Sequence, residues 1–219
     1  MPTKRHQAVI FDLDGTLLDT LEDIANSMNA VLRRHGRPEH DTPVYKYFVG
    51  DGMETLVRKA LPADQRGEET VATCLAEMRA EYGRRWADTT RPYPGIPELL
   101  TGLSLRGIKT AVLSNKPDDF TRLTVERFLA SWRFEHVIGL TQGSPKKPDP
   151  EAALQIARAL GAAPEDCLYL GDTGTDMRTA SNAGMFAVGA LWGFRTAEEM
   201  LADGALELIA QPWELLRLI

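Results

Sequence analysis

The sequence predicts an α/β fold in which a Rossmann-like, doubly wound parallel sheet forms a core domain and an α-helical cap domain is inserted into it. Three observations support this expectation. From about residue 90 to the C-terminus, short apolar runs alternate with amphipathic helical patterns, which is typical of a parallel sheet wrapped by helices. A further apolar run lies at residues 8–11. Between these two parts no segment has a convincing strand pattern.

The N-terminal elements follow from local patterns. Ala8–Phe11 is a run of four apolar residues and predicts a buried strand. Leu21–Arg34 has apolar residues at helical spacing and is followed by Gly36, a common C-terminal stop, so it predicts a helix. Residues 52–61 and 68–86 have amphipathic helical patterns.

These patterns set the expected domain boundaries. Residues 1–18 and 90–219 are predicted to form the core domain, and residues 19–89, here called the cap segment, are predicted to form the helical cap domain. The remaining predicted elements are a helix at 96–106, a strand at 108–115, a helix at 117–129, a strand at 136–140, a helix at 149–161, a strand at 166–173, a helix at 176–184, a strand at 185–191, a helix at 196–204, a strand at 206–209 and a helical tail at 212–219 that docks on the core.

Composition narrows the class of partner. The formal net charge of −6 at pH 7 argues against a nucleic acid or an anionic membrane surface as partner. The two cysteines, Cys74 and Cys167, have no metal-ligand or redox-motif spacing and are expected to be reduced thiols. No apolar run is long enough for a signal peptide or a membrane span. We therefore expect a cytoplasmic protein, monomer or homodimer, acting on a small molecule.

Two aspartates directly follow the first strand, in the stretch "DLDG". Residues two apart in an extended chain point to the same side, so Asp12 and Asp14 can face one ligand. Two adjacent carboxylates need either a cation or a retained proton, and a retained proton suits a general acid. The alternative is an ordinary Asp-Gly turn in which Asp14 caps the next helix.

A second acidic pair lies at the end of another predicted strand, in "GDTGTD". Strand ends of a parallel sheet meet at one edge, so Asp172 should lie near Asp12. Oxygen ligands of this kind suit Mg²⁺, which binds few carboxylates and keeps waters and substrate phosphate. Asp176 is either part of this site or a helix N-terminal carboxylate that interacts with the helix dipole.

Three further residues are candidates for anion binding. Ser114 and Asn115 follow a strand and precede a helix, where a hydroxyl, an amide and backbone N–H groups suit a phosphate; an ordinary N-cap is the alternative. Lys147 precedes a proline, which restricts its backbone and fixes its direction better than that of a free surface lysine. Near the aspartates it would neutralise charge.

Together these residues resemble the haloacid dehalogenase superfamily of phosphohydrolases, and within it the phosphoglycolate phosphatase group. The motifs "DLDGT", "LSN", the lysine of "KKPDP" and "GDTGTD" occur in the family's order, and the resemblance covers the whole chain. The stretches "YFVGDGMETLVRKAL" and "RPYPGIPELL" resemble patterns of the phosphoglycolate phosphatase group. Each motif alone is weak, whereas the four in order are specific.

The resemblance implies a role for each matching residue. Asp12 would be the nucleophile that becomes an aspartyl-phosphate, and Asp14 would protonate the leaving oxygen and then activate water. Ser114, Asn115 and Lys147 would hold the phosphate. Mg²⁺ would be bound by Asp12, the main chain of Asp14, and Asp172, with Asp176 in support. A carboxylate at position 14 also argues against dehalogenation, because the dehalogenases lack it.

The substrate is less well defined by the sequence. The loop Gly50, Asp51 and Gly52 either approaches the substrate through its glycines or is only the turn that starts a helix. Asp51 in the site would repel the carboxylate of 2-phosphoglycolate unless a cation such as Arg58 or Lys59 intervenes. The expected substrate is nevertheless 2-phosphoglycolate.

Other activities stay open at this point. They are an inorganic pyrophosphatase, a sugar-phosphate phosphatase and a β-phosphoglucomutase-type mutase. A non-enzymatic phosphoaspartate switch also combines acidic residues, a hydroxyl and a lysine at strand ends. The helical insert, the acceptor on the first strand and Asp14 poised for hydrolysis argue against that switch.

Overall fold

A computed structural model of the chain describes residues 6–219. Its strands, in chain order, are β1 (Ala8–Phe11), β2 (Leu18–Asp19), β3 (Arg91–Pro92), β4 (Lys109–Pro117), β5 (His136–Leu140), β6 (Cys167–Gly171), β7 (Phe186–Ala190) and β8 (Glu207–Ile209). Its α-helices are α1 (Leu21–Arg34), α2 (Met53–Ala60), α3 (Glu68–Arg85), α4 (Ile96–Leu105), α5 (Asp118–Phe128), α6 (Glu151–Leu160), α7 (Gly174–Ala183) and α8 (Ala197–Ala202). Short 3₁₀ helices lie at Thr42–Tyr47, Ala63–Gln65, Pro164–Asp166 and Pro212–Leu218.

One parallel sheet contains six of these strands, in the order β5-β4-β1-β6-β7-β8. From β1 the chain first adds β4 and β5 on one side and then crosses to add β6, β7 and β8 on the other. Ligand sites of such sheets lie at the carboxyl ends of the strands where this reversal occurs, here β1, β4 and β6. The predicted fold class is confirmed.

Alternate residues of β1 face opposite sides of the sheet, as the strand pleat requires. Val9 and Phe11 pack with α4 and α5 in one buried apolar cluster. Ala8 and Ile10 pack with α6 and α7 in another. Helices therefore cover both faces, and the central strand is buried throughout, which explains why its sequence is an unbroken apolar run.

The cap segment forms a third apolar cluster, built from α1, α2 and α3 around residues such as Met28, Val57 and Met78. Phe120 and Phe194 of the predicted core domain complete it. Within residues 19–89 the segment is helical apart from β2, as the absence of strand patterns predicts. The division into two domains stays a prediction.

The cap segment leaves and rejoins the sheet through a feature too short to predict from sequence. Strands β2 and β3 pair antiparallel, with Leu18 opposite Pro92 and Asp19 opposite Arg91. Next to this ribbon, the buried Asp23 carboxylate accepts hydrogen bonds from the backbone N–H and hydroxyl groups of Thr89 and Thr90, at 2.7–3.1 Å.

Most predicted elements agree with the structure within a few residues. The strand predicted at 108–115 continues to Pro117, and α5 begins only at Asp118. The C-terminal tail is a 3₁₀ helix that packs Leu215 into the cluster of α4 and α5. Across residues 6–219, no helix has the length and apolar character needed to cross a membrane.

Candidate active site

Asp12 lies at the carboxyl end of β1, in the middle of the sheet edge. Its backbone N–H donates to Leu170 O at 2.9 Å, which holds it against β6. The Lys147 ammonium lies 2.8 Å from Asp12 Oδ1 and 2.7 Å from Asp176 Oδ1. All three side chains are buried. The lysine thus bridges two carboxylates from different strand ends, and its peptide bond to Pro148 is cis.

Asp172 follows β6 and is fixed by two donors. The Thr16 hydroxyl donates to Oδ1 and the Phe194 N–H donates to Oδ2, each at 2.8 Å. Asp176 is fixed by the start of α7: Thr173 and Asp176 form a reciprocal capping box, in which each side chain accepts from the other's backbone N–H. Asp176 therefore caps the helix terminus and also contacts Lys147, and its part in a metal site stays a prediction.

Oxygen atoms of Asp12, Asp172 and Asp176 lie within 4.8 Å of one another. Burial, together with the neighbouring Asp176 carboxylate, raises the pKa of Asp12 to about 7, although Lys147 opposes this shift. Burial and the carboxylates of Asp12 and Asp176 raise the pKa of Asp172 well above its usual range. With all three carboxylates ionised, the one ammonium of Lys147 would leave two negative charges unbalanced. A buried cluster of this charge favours a cation.

This group of residues fits Mg²⁺ by donor chemistry and by charge. Its donors are hard carboxylate oxygens, which Mg²⁺ prefers, and the unbalanced charge equals that of one divalent ion. The group comprises Asp12, Asp172 and Asp176. The side chain of Asp14 points elsewhere, so only its main chain is available for the role that the family resemblance implies.

Gly15 explains why a glycine follows the second aspartate. Its φ of +91° is a left-handed conformation that residues with a Cβ rarely adopt. A Cβ atom there would also lie 2.8 Å from Asp172 Cγ. The glycine therefore lets the chain turn and lets Asp172 approach the backbone closely.

Asp14 faces a second buried lysine rather than the acidic group. Lys116 Nζ lies 2.8 and 3.1 Å from the two carboxylate oxygens of Asp14, and 2.6 Å from the hydroxyl of Tyr82 on α3. The ammonium also lies 4.6 Å from the centroid of the Tyr82 ring. Burial alone would lower the pKa of Lys116, but Asp14 and Tyr82 raise it above its usual range. This pair is balanced, one charge against one.

Ser114 and Asn115 do not cap α5. The N-cap residue of that helix is Pro117, and no side chain caps it. The Asn115 side chain instead accepts from Lys147 N at 2.9 Å and donates to Lys147 O at 3.2 Å and Gly50 O at 3.0 Å. It therefore joins the end of β4 to the lysine loop and to the cap segment. Ser114 Oγ accepts from Lys116 N at 3.3 Å.

A small cavity of about 50 Å³ lies over this sheet edge, between the core and the cap segment. The core side contributes polar groups, including Asp12, Asp14 and Lys116. Apolar side chains of the cap segment cover it, namely Ile24, Val49, Met53, Leu56 and Met78, together with Tyr82. The described lining thus has a charged floor and a mostly apolar roof.

In the predicted cap loop, the two glycines face the cavity and the aspartate between them does not. Gly50 and Gly52 line the cavity, and Gly52 is also the N-cap residue of α2. Asp51 is not among the lining residues: its carboxylate lies 2.9 Å from Lys59 Nζ and accepts from Thr175 Oγ1 at 3.0 Å. Asp51 is therefore not placed to repel a substrate carboxylate in the cavity. Arg58 pairs with Glu54 and Glu68 at the surface.

Two residues of the cavity carry no clear sequence signal. Lys116 follows the "LSN" motif and has the appearance of a surface lysine at a helix start. The one usable signal is the strand period: Ser114 and Lys116 are two apart, so a strand that continues past Asn115 turns both to one side. Tyr82 belongs to an amphipathic helix pattern, and no local rule pairs it with a strand end.

Comparisons with known proteins agree with this geometry. The family described as haloacid dehalogenase-like hydrolase matches residues 9–190. The phosphoglycolate phosphatase of Aquifex aeolicus is 32% identical over 213 residues, covering 97% of this chain and 96% of the relative. That of Chromobacterium violaceum is 30% identical and covers 99% of both chains. A crystal structure from Lactobacillus delbrueckii subsp. bulgaricus superposes with a TM-score of 0.91 at 27% identity, covering 97% of this chain and 98% of that one. The predicted family resemblance is confirmed.

Proposed function

Since the chain belongs to the haloacid dehalogenase-like hydrolases and is a phosphatase, we propose that it hydrolyses 2-phosphoglycolate with Mg²⁺, through an aspartyl-phosphate on Asp12. The observation that carries this proposal is that Asp12 and Asp14 line one cavity while bound to different lysines. Two carboxylates in different environments can take different roles, one as nucleophile and one as proton carrier.

In the first step, a carboxylate oxygen of Asp12 attacks phosphorus, and the bond from phosphorus to the leaving oxygen breaks. Asp14, which takes up a proton before this step, gives it to that oxygen, so glycolate leaves with a hydroxyl group at that end. In the second step, water attacks the phosphorus, Asp14 takes a proton from it, and the bond to Asp12 breaks to release phosphate. Two easier steps replace one of the slowest uncatalysed reactions, for which enzymes reach accelerations of up to ~10²¹.

Phosphate binding falls to the groups around Asp12. Lys147 supplies a buried ammonium 2.8 Å from the nucleophile, where it can neutralise phosphate oxygens. Ser114 adds a hydroxyl, and Asn115 fixes the Lys147 backbone by two hydrogen bonds. A clamp of this kind allows a carboxylate to approach an anionic phosphate.

Asp12, Asp172 and the main chain of Asp14 would hold Mg²⁺, with Asp176 in support. Bound there, the ion would offset the negative charge of the carboxylates and of the phosphate oxygens. Asp176 also orients Lys147, at 2.7 Å, and so serves the clamp directly.

The named activity of the relatives favours 2-phosphoglycolate. The mostly apolar roof of the cavity offers few partners for the hydroxyl groups of a sugar phosphate, which argues against a sugar-phosphate phosphatase or a mutase of the β-phosphoglucomutase type. Pyrophosphate stays the main alternative substrate. The phosphatase activity removes the signalling-switch alternative.

The test is phosphate release from a substrate panel, with Mg²⁺ and with EDTA. The panel contains 2-phosphoglycolate, pyrophosphate, glucose 6-phosphate and a nucleoside monophosphate. We expect Mg²⁺-dependent turnover that is fastest with 2-phosphoglycolate and is lost in Asp12→Asn. Asp64→Asn, at an exposed position of the cap segment, is the matched control and should retain full activity.

The intermediate is tested separately by rapid acid quench and intact-mass measurement. With acetyl phosphate, whose leaving group needs no proton, Asp14→Asn should accumulate phosphorylated Asp12, because the variant lacks the group that activates water. Turnover by Asp12→Asn at the wild-type rate would disprove the nucleophile, and preferred hydrolysis of pyrophosphate would disprove the substrate while leaving the mechanism in place.

A further inference from the structure

We propose that Lys116 is the specificity-determining residue for the leaving group and that it binds the carboxylate of a short phosphorylated acid. This inference rests on the proposed function and deepens it. It assigns to one side chain the selection of an anionic leaving group over a neutral one of the same size. Tyr82 of the cap segment would orient that side chain.

The position of Lys116 is the first support. Of the residues that line the described cavity, Lys116 is the one with a cationic side chain. It is only 7% exposed, so a carboxylate that reaches it is shielded from water and interacts more strongly than it would at the surface. Lys147 contacts Asp12 and Asp176 on the acidic side of the site, and so serves the phosphoryl end.

The distance between Lys116 and Asp14 is the second support. Asp14 must reach the leaving oxygen, and Lys116 Nζ lies 2.8 Å from Asp14 Oδ1. In 2-phosphoglycolate a single CH₂ group separates that oxygen from the carboxylate. A substrate whose bridging oxygen meets Asp14 therefore brings its carboxylate next to Lys116. A longer acid would place its carboxylate among the apolar side chains of the roof.

The rest of the cavity is the third support. The roof of the cavity has no side-chain hydrogen-bonding groups at five positions, Ile24, Val49, Met53, Leu56 and Met78. The hydroxyl groups of a sugar-like leaving group would find no hydrogen-bond partner against this surface, which costs binding free energy. The described part of the cap segment contributes one polar side chain to the lining, the hydroxyl of Tyr82, and it is already directed at Lys116 at 2.6 Å.

An ammonium has three N–H donors, and the two oxygens of Asp14 and the hydroxyl of Tyr82 occupy all three. A substrate carboxylate would take over one of these donors. Displacing the second, longer bond to Asp14, at 3.1 Å, keeps both partners in contact with the lysine. Lys116 would then hold the general acid and the leaving group side by side.

The experiment compares 2-phosphoglycolate with 2-hydroxyethyl phosphate, which has the same length but carries an alcohol in place of the carboxylate. The kcat/KM of each is measured for the wild type, Lys116→Met, Lys116→Gln and Tyr82→Phe. Lys116→Gln keeps a hydrogen-bond donor for Asp14 and is the variant to use if Lys116→Met folds poorly. Because the two substrates are compared within one protein sample, a reduced folded fraction cancels in the ratio. Lys146→Met, an exposed neighbour of Lys147, is the control.

We expect the wild type to prefer 2-phosphoglycolate and Lys116→Gln to lose roughly 10- to 100-fold of that preference, mainly through KM. Tyr82→Phe should lose a smaller part of it, and Lys146→Met none. An equal loss on both substrates would overturn the inference and would show that Lys116 acts on Asp14 alone. A wild type that hydrolyses 2-hydroxyethyl phosphate as well as 2-phosphoglycolate would overturn it too. A wild type inactive on 2-phosphoglycolate would show instead that the proposed substrate itself is wrong.

Discussion

Two buried lysines lie at the same sheet edge in opposite electrostatic situations. Lys147 contacts Asp12 and Asp176, and Asp172 completes a group of carboxylates that one ammonium cannot balance. Among the carboxylates of the described residues, Lys116 contacts only that of Asp14, and its ammonium also donates to the hydroxyl of Tyr82. The first site carries excess negative charge, whereas the second is balanced.

This difference in charge balance assigns the phosphoryl group to one lysine and the leaving group to the other. An excess of negative charge favours a cation, and the dianionic phosphoryl group of a monoester would bind together with that metal, so the Lys147 side is suited to the phosphoryl group. The Lys116–Asp14 pair has no excess negative charge to bind a metal, and it lies under the cap segment. Once Asp14 carries the proton of a general acid, the charge of Lys116 is free for an anionic leaving group, so the Lys116 side is suited to that group. The expectations below test this division.

The largest expected effect is on activity when Lys147 is replaced. Lys147→Met removes the only ammonium in contact with Asp12 among the described residues, and kcat/KM should fall by at least 10²- to 10³-fold on every substrate. The loss should be the same for 2-phosphoglycolate and 2-hydroxyethyl phosphate, in contrast to Lys116→Gln. Steady-state kinetics on both substrates measure it. A selective loss on 2-phosphoglycolate alone would contradict the division.

A smaller effect is expected on stability when Mg²⁺ is added. Binding at a hundred times Kd should stabilise the folded wild type by about 2.7 kcal/mol, which raises Tm. Asp172→Asn should lose most of this increase, because it removes a carboxylate from the unbalanced group. Lys116→Gln should retain it. Differential scanning calorimetry with Mg²⁺ and with EDTA provides the comparison, and an equal increase in Asp172→Asn would rule out this metal site.

The smallest effect is the pH dependence of the metal-free protein. The pKa of Asp12 is raised from 3.8 to about 7, so the folded state holds a proton there that the unfolded state has already lost. Asp172, whose pKa is also raised, adds to the same effect. Stability should therefore decrease as pH rises from about 5 to 7, by at most about 1.4 kcal/mol per pH unit for each of these two protons. Lys116 should add no slope in this range, because its pKa is raised above its usual value.

Thermal melts in EDTA at pH 5, 6 and 7 measure this slope, with Asp12→Asn as the comparison that should reduce it. The carboxylates whose pKa surface arginines lower, such as Glu39 and Glu68, change stability only below their usual pKa, outside this window. A Tm that rises over the same range would contradict the raised pKa of Asp12.

Sequence patterns were sufficient for the Lys147 side of the site and insufficient for the Lys116 side. Asp12 and Asp172 each follow an apolar run directly, and strand ends of a parallel sheet converge, so their proximity could be predicted. The pairing of Lys116 with Tyr82 depends on how α3 packs over β4, which is tertiary information. The continuation of β4 through Pro117 also has no local signal, since proline before an acidic pair is typical of a helix start.

The same contrast holds for the fold. The long helices were predicted because burial of one face imposes a period of 3.6 residues, and the central strands because burial on both faces makes each an apolar run. Strands β2 and β3 have two residues each, too few for any period. The network of Asp23 with Thr89 and Thr90 joins residues 66 and 67 positions apart, so neither end reveals the other.

The paired strands β2 and β3 form a closed base for the cap segment, so the structure of the six-stranded sheet does not depend on the length of the chain between β2 and β3. Because Leu18 lies opposite Pro92, the ends of the cap segment are as close as the ends of a hairpin loop. Chain-closure entropy changes only slowly with loop length once the ends are joined. A cap segment of another length or another lining could be joined to the same two strands without moving the sheet edge that carries Asp12, Asp14 and Lys116.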